Sequence, residues 1–550
     1  MSLNPFPKLK TVRPVSANIS DVTLRDFSGG LRVTDNEIAL KSKYASKLIN
    51  MFPDKDTSQI LRFGTRAFAS TDANIVNIAY FKQHIVSVLT DGTITKTDNT
   101  GTTTVIWDEG IGLALTGSPG GWNNNVTHAD FSEFRGKLIV VNGQDRPVII
   151  DSSFDVDYLQ DLATGNNINT PISRYVTTVS NYLVMGGVTN DETSIYISAT
   201  GTSGTWPGDD PPNDAISFDV GAYTGQSGSE IKGIGNFKNF LVIFFANFSV
   251  VLQLGSFSDG NVHEPAVIDT YTNLGTINSK TILATDTDLL FASNTGVASA
   301  EKNVFGGTLS TSILSNDLGD EYSQTIGLVA SDDDKSFIVH DTLSKTIFYL
   351  FHKGDGSVKT FAMKYKDTFA KSSWAEVSGW NFTAACTSEK GRVFFAEGDK
   401  IYQYGNSVFS NEEYYADYIT DVFEGNDIEF DWEMPWLDAG NRIKTKLLKK
   451  LSFDTVGTAS FNFQCFVNNF YKDLNGNYDP ASEMTFVAGD KEGYGNDTGG
   501  YGGGRRANDE RFFGMPVRFK ILKIRIHGST KKPLRIISMS LIFARGNYNV

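Results

Sequence analysis

Carboxylates and imidazoles are the side chains from which this 550-residue chain could build a reaction. Its six histidines are His84, His128, His263, His340, His352 and His527; none has the spacing of a metal-ligand pair or lies near a cysteine, so no zinc site is expected. Acidic pairs stand at Asp209-Asp210 and in the run Asp332, Asp333, Asp334. Two carboxyl groups across a cleft are what glycoside hydrolysis needs, but plain turns use the same residues. The string Asp473 to Asp479, DLNGNYD, sets the oxygen side chains of Asp473, Asn475, Asn477 and Asp479 around Gly476. It resembles the short calcium loops of some propeller and repeat proteins. Its glycine stands fourth rather than sixth, so it is no EF-hand, and an Asn-Gly turn is the simpler explanation. No nucleophile elbow, P-loop or dinucleotide fingerprint occurs, and a hairpin rather than a helix follows the glycines of GIGNFKNF. Cys386 and Cys465 sit in apolar surroundings, TAACTS and FNFQCFV, and read as buried thiols. No catalytic, cofactor-binding or metal-binding residue is assigned.

The elements that would have to position these groups are strands. Gly is abundant, aromatics reach 12%, and apolar residues rarely recur at helical spacing. A unit of strand, turn and second strand recurs seven times, with starts 45 to 58 residues apart. It begins at Phe81, Phe134, Val179, Phe237, Thr285, Asp333 and Glu389. One such unit leaves an apolar face on each side, and stacking the units radially buries those faces. Asp91-Gly92, Asn142-Gly143, Asn294-Thr295-Gly296 and Glu397-Gly398-Asp399 supply hairpin turns. The prediction is an all-β chain: a leading segment 1–58, a β-propeller of six or seven blades over 59–405, and a C-terminal β-sandwich-like domain over 406–550. A pair of Greek-key sandwiches does not predict so regular a spacing. Ser410 to Asn426 reads as a connector or edge strand, and alternation then resumes from Asp427, Lys449, Ala459, Val517 and Leu534. The Gly-rich stretch 493–506 reads as a loop.

The net charge of −14 argues against gripping nucleic acid through its phosphates, which requires Lys and Arg to displace counterions. The one basic run, Lys444 to Lys450, reads as a solvated rim beside a strand. The first residues lack the apolar run of a secretory signal, so synthesis in a reducing cytoplasm is expected. Phe240 to Leu254 is too short to span a membrane and is broken by Asn247, Ser249 and Gln253; it reads as two buried strands and a turn.

The segment Asp26 to Asp56, DFSGGLRVTDNEIALKSKYASKLINMFPDKD, has a Gly-Gly turn near its start and an Ile49-Asn50-Met51 step near its end. A propeller-like repeat follows, and a Trp-Leu-Asp strand, WEMPWLDAGNRIKTKLLKKLSF from Trp432, leads into the last domain. In this order of parts the chain resembles the tail nozzle proteins of podoviruses, also called tail tubular protein B or packaged-DNA stabilisation protein. The resemblance implies a virion tail protein, made in the host cytoplasm, that forms a homo-hexameric ring. It implies partners too: the tail adaptor ring, tail fibres or tailspikes, and packaged double-stranded DNA held without sequence-specific contact. It implies no enzyme activity, no cofactor and no membrane span. A carbohydrate-active or ligand-binding propeller is the alternative.

Overall fold

The computed structural model describes residues 18–33, 37–54, 56–108, 122, 125–159, 170–208, 214–223, 229–254, 265–302, 309–330, 334–405, 415–420, 425–440, 442–457, 459–467, 482–486 and 506–545. Asp209-Asp210, His263, Asp332-Asp333, Asp473 to Asp479 and nearly all of the Gly-rich stretch lie outside them.

The repeat folds into seven four-stranded antiparallel blades. Six are continuous in sequence, spanning 75–107, 130–158, 173–219, 233–272, 282–313 and 337–377. The seventh takes three strands, Ala384–Thr387, Val393–Glu397 and Lys400–Tyr404, and borrows its fourth, Thr65–Ser70, from before blade one. That exchange closes the ring. From blade two round to blade one the first strand of each blade touches that of the next, and between blades one and two Asn77 donates to the Ala129 carbonyl at 2.8 Å, leading into blade two.

Burial explains why the units stack. Five of the seven interfaces between successive blades hold an apolar cluster of their own, such as Val86, Val88, Leu138 and Val140 between blades one and two, and the two flanking blade six merge with the core of the C-terminal sheets. Between blades four and five the Phe244 and Phe291 rings lie 4.8 Å apart; such a pair adds about 0.5–1.5 kcal/mol beyond area burial. The Phe240–Leu254 stretch supplies two buried strands of blade four, Phe240–Phe244 and Phe248–Gln253. No helix among the described residues is long and apolar enough to cross a membrane.

Apart from the short parallel pair Gly30–Leu31 and Tyr44–Ala45, the remaining strands form two sheets packed face to face. One contains Arg506–Phe519, Lys446–Gly457, Leu534–Arg545, Gln59–Leu61 and Met51–Pro53, with Asn18–Leu24 along Leu534–Arg545. The other contains Lys47–Ile49, Asn426–Glu433, Leu522–Thr530, Phe461–Val467 and Ser482–Phe486. Phe453 of the first sheet meets Phe461 and Phe463 of the second, each at 5.3 Å between ring centres. Phe461, Phe463 and Cys465 alternate inward as their spacing requires. The basic run Lys444 to Lys450 leads into the long strand Lys446–Gly457; Lys444 and Lys449 are exposed as a solvated rim would have them, whereas Lys446 is buried with its ammonium on the Lys520 carbonyl at 3.0 Å.

Two features fuse propeller and sandwich. Lys47–Ile49 pairs in parallel with blade six at Glu376 and antiparallel with Asn426–Glu433, so blade six runs on into the second sandwich sheet as one ten-stranded sheet. Where the chain crosses between the two parts, at 62–64 and again at 415–420, Arg62 and Asp417 form an ion pair with side chains 1% and 5% exposed. All five guanidinium N–H groups have acceptors: Asn50 Oδ1 (2.7 Å), the Phe63 carbonyl (2.9 Å), the Ser378 carbonyl (3.1 Å) and both oxygens of Asp417. The guanidinium also lies 4.7 Å from the centre of the Trp380 ring, whose N–H donates to Asp417 at 3.3 Å. Asn50, at φ 57°, donates from Nδ2 to Ser378 Oγ at 2.8 Å and to the Glu429 carbonyl at 2.6 Å. A short amide side chain tolerates that backbone conformation where a branched apolar one does not.

Candidate functional site

Charged residues gather at one end of the propeller axis, at or just before the inner strand of blade after blade. Asp130 opens the inner strand of blade two, and Arg174 is second in that of blade three. Lys232 precedes that of blade four. Lys280 lies in the turn Ser279–Thr281 before blade five, and Asp334 leads into blade six. The turn carrying Lys280 is fixed by Asn278, whose side chain accepts from the Thr281 N–H at 3.0 Å and donates to the Ser336 carbonyl at 3.0 Å.

These groups cross the axis. Arg174 of blade three reaches Asp334 of blade six at 3.0 Å, and Lys280 of blade five reaches the Val76 carbonyl of blade one at 2.9 Å. His128, buried ahead of blade two, lies with Nε2 2.7 Å from the Arg174 carbonyl and Nδ1 3.3 Å from Asp334. Both partners are acceptors, so both contacts are hydrogen bonds only when the ring carries two protons. Asp130 accepts from the N–H of Phe131 at 3.0 Å and of Val176 at 3.1 Å, tying blade two to blade three. Lys232 is paired with Glu230.

Electrostatics separate the two carboxylates. Burial pushes Asp130 above the usual carboxylate value, against the opposing pull of His128 and Lys280. Burial also works to raise Asp334, but there His128, Arg174 and Lys280 outweigh it and hold the group below its usual value. Tyr175, beneath Arg174, is raised by burial.

The other described histidines serve the scaffold. His84 meets the Lys82 carbonyl at 2.9 Å, His352 the Phe382 carbonyl at 2.7 Å, and His340 the Tyr365 hydroxyl at 2.7 Å, with burial lowering the His340 pKa. His527 lies on the strand Leu522–Thr530. Cys386 and Cys465 are buried free thiols, and burial raises the Cys386 pKa. Among the described residues no group of three or more His, Cys, Asp or Glu side chains is placed to hold a metal ion. All seven Trp are buried, so none offers an exposed platform for a sugar ring. The sequence analysis singled out His128 and Asp334 without linking them, and it missed Asp130, Arg174 and Lys280. The signal for them is a charged residue at or shortly before the start of the inner strand in blades two to six, visible only once the repeats are aligned on those strands.

No family model matches the chain, and no curated protein matches it in sequence. Among solved structures the chain is similar to a streptogramin B lyase, at 11% identity and TM-score 0.38 over 62% of this chain and 98% of that one. It is similar to a chain of a mitotic checkpoint complex, at 12% identity and TM-score 0.38 over 62% and 93%. A third likeness is to PorZ, a surface component of the type-IX secretion system of Porphyromonas gingivalis, at 12% identity and TM-score 0.36 over 67% and 45%. The propeller assignment stands on the sheet topology itself.

Proposed function

We propose that this chain is a structural virion protein, six copies of which form the distal nozzle ring of a short-tailed phage. The ring continues the DNA channel below portal and adaptor, retains the packaged DNA and gates its ejection, and it carries or abuts fibres or tailspikes. The observation that supports this reading best is the fusion of propeller and sandwich. Domains of one chain move independently unless a large apolar interface ties them. Here a continuous sheet, a shared apolar core and the Arg62–Asp417 pair make one stiff block, the kind of part a pressurised ring needs. Side chains cross the propeller's own axis, so in this reading the DNA channel runs between subunits. The net charge of −14 suits a channel wall along which a polyanion slides. Native mass spectrometry of the chain mixed with its tail adaptor tests the proposal. Six copies per complex are expected; a chain that stays monomeric beside the adaptor refutes it.

A second reading, a carbohydrate-active propeller, draws on Asp130 and Asp334, whose environments push them in opposite directions as an acid and a base require. It predicts polysaccharide cleavage by the purified chain that Asp130→Asn abolishes without unfolding it. The buried tryptophans and the internal partners of both carboxylates speak for the first reading.

A further inference from the structure

A concave site beside the Gly29-Gly30 turn has the opposite charge to the chain as a whole. Its volume is about 370 Å³, at the small end for a ligand pocket. Four lysines line it, Lys345, Lys364, Lys366 and Lys371, against two carboxylates, Asp54 and Asp367. The scaffold holds part of this set in place. Lys345 is fixed by its bond to the Lys366 carbonyl at 2.7 Å, and Asp54 is shared between Arg535 at 3.2 Å and Lys364 at 3.8 Å. Lys366 and Lys371, both exposed, have no ion-pair partner among the described residues.

Four ammonium groups against two carboxylates leave a net charge of +2 in the lining, on a chain of net charge −14. A concave wall of one sign focuses the field and concentrates the opposite ion. Lysine is a point charge suited to phosphate oxygens, where paired flat carboxylates favour arginine. The positive field extends to the rim, where Asp26 is held below its usual value first by the Ser28 hydroxyl and then also by Lys43 and Lys366. The site is built from the leading segment, the turn at Ser344-Lys345 and the stretch from Lys364 to Ser373, so an occupant would bridge the N-terminal segment and blade six.

We propose that this pocket binds a small ligand bearing a phosphate dianion, with Lys366 and Lys371 as its principal charge partners. The proposal does not depend on the nozzle reading. Titrating the full chain with pyrophosphate by calorimetry and by ³¹P line broadening tests it. Saturable binding at one site per chain is expected, weakened at least tenfold in Lys366→Gln/Lys371→Gln and unchanged in Lys449→Gln. Both substituted lysines are exposed, so a thermal melt matching the parent protein is expected and verifies folding. Absence of saturable binding, or equal binding by the double variant, overturns the proposal. Binding of a short DNA duplex that depends on the two lysines and resists competition by pyrophosphate overturns the small-ligand assignment in favour of nucleic acid.

Discussion

Replacing Arg62 by Met removes the cation from a pair whose side chains are 1% and 5% exposed and leaves the Asp417 carboxylate in the core. Its remaining partners, the Thr65 hydroxyl and the Trp380 N–H, both at 3.3 Å, are neutral. Breaking a buried pair from one side costs about 3–5 kcal/mol, because the orphaned charge is not resolvated. Asp417→Leu should cost a similar amount. In the double variant Arg62→Met/Asp417→Leu no charge is stranded, and the deficit reduces to neutral groups that lose a partner: the acceptors on Asn50, Phe63 and Ser378 and the N–H of Trp380. The double variant should therefore be more stable than either single one. Urea unfolding followed by Trp fluorescence and circular dichroism measures the cycle, and hydrogen exchange at 62–67 and 415–419 locates the loosening. Single variants that each lose less than about 1 kcal/mol, or losses that simply add, would refute the argument that one pair clamps both crossings.

Three further outcomes follow from the geometry. Gly30 has φ +69°, and a Cβ there would stand 2.7 Å from the Trp374 carbonyl oxygen, whereas Gly136 at φ +77° has open space around it. Gly136→Ala should lose about 1–2 kcal/mol for the backbone conformation alone, and Gly30→Ala distinctly more, as read by chemical denaturation. Asp334→Ala removes the partner of buried His128 and of Arg174, and should cost about 1–3 kcal/mol, with faster hydrogen exchange at the starts of the inner strands of blades two, three and six. Burial works to raise Asp431, but Arg525 (2.8 and 2.6 Å) and Lys47 (2.7 Å) hold it below its usual value. A depressed carboxylate contributes stability that is fully present above its unfolded pKa of about 3.9 and is lost as pH falls through the lower folded value. Asp431→Asn should therefore be less stable at pH 7 and show a shallower loss of stability below pH ~4 in acid titrations of the unfolding midpoint.

The blades were legible because each repeats a long apolar hairpin with a marked turn, and all seven sequence units fall one to a blade. Gly92, Gly143 and Gly398 adopt the positive φ that their turns demand. Less legible was the part played by the N-terminal segment. Its strands Lys47–Ile49, Met51–Pro53 and Gln59–Leu61 are three residues long, too short for alternation to register, and apart from the pairing of Met51–Pro53 with Gln59–Leu61 their partners lie more than 300 residues away. The opening Gly-Gly turn found its reason only in three dimensions, where Gly30 presses against Trp374. Asn50 and Arg62 carry no signal of their own, since burial of a polar residue is set by distant strands. The axial cluster stayed hidden because His128, Asp130, Arg174, Lys280 and Asp334 are spread over some 200 residues and share only their position at or just before the start of an inner strand.

The central claim is that this protein works by assembly, retaining DNA at the end of a tail. The most direct measurement is on virions from a phage whose copy of the gene carries a stop codon, grown with and without the intact chain supplied in trans. Electron microscopy and DNA quantification should show tails that lack their six-fold distal ring and capsids that have lost their DNA, with both restored by the intact chain. Filled capsids with complete tails in the absence of the protein would contradict the account.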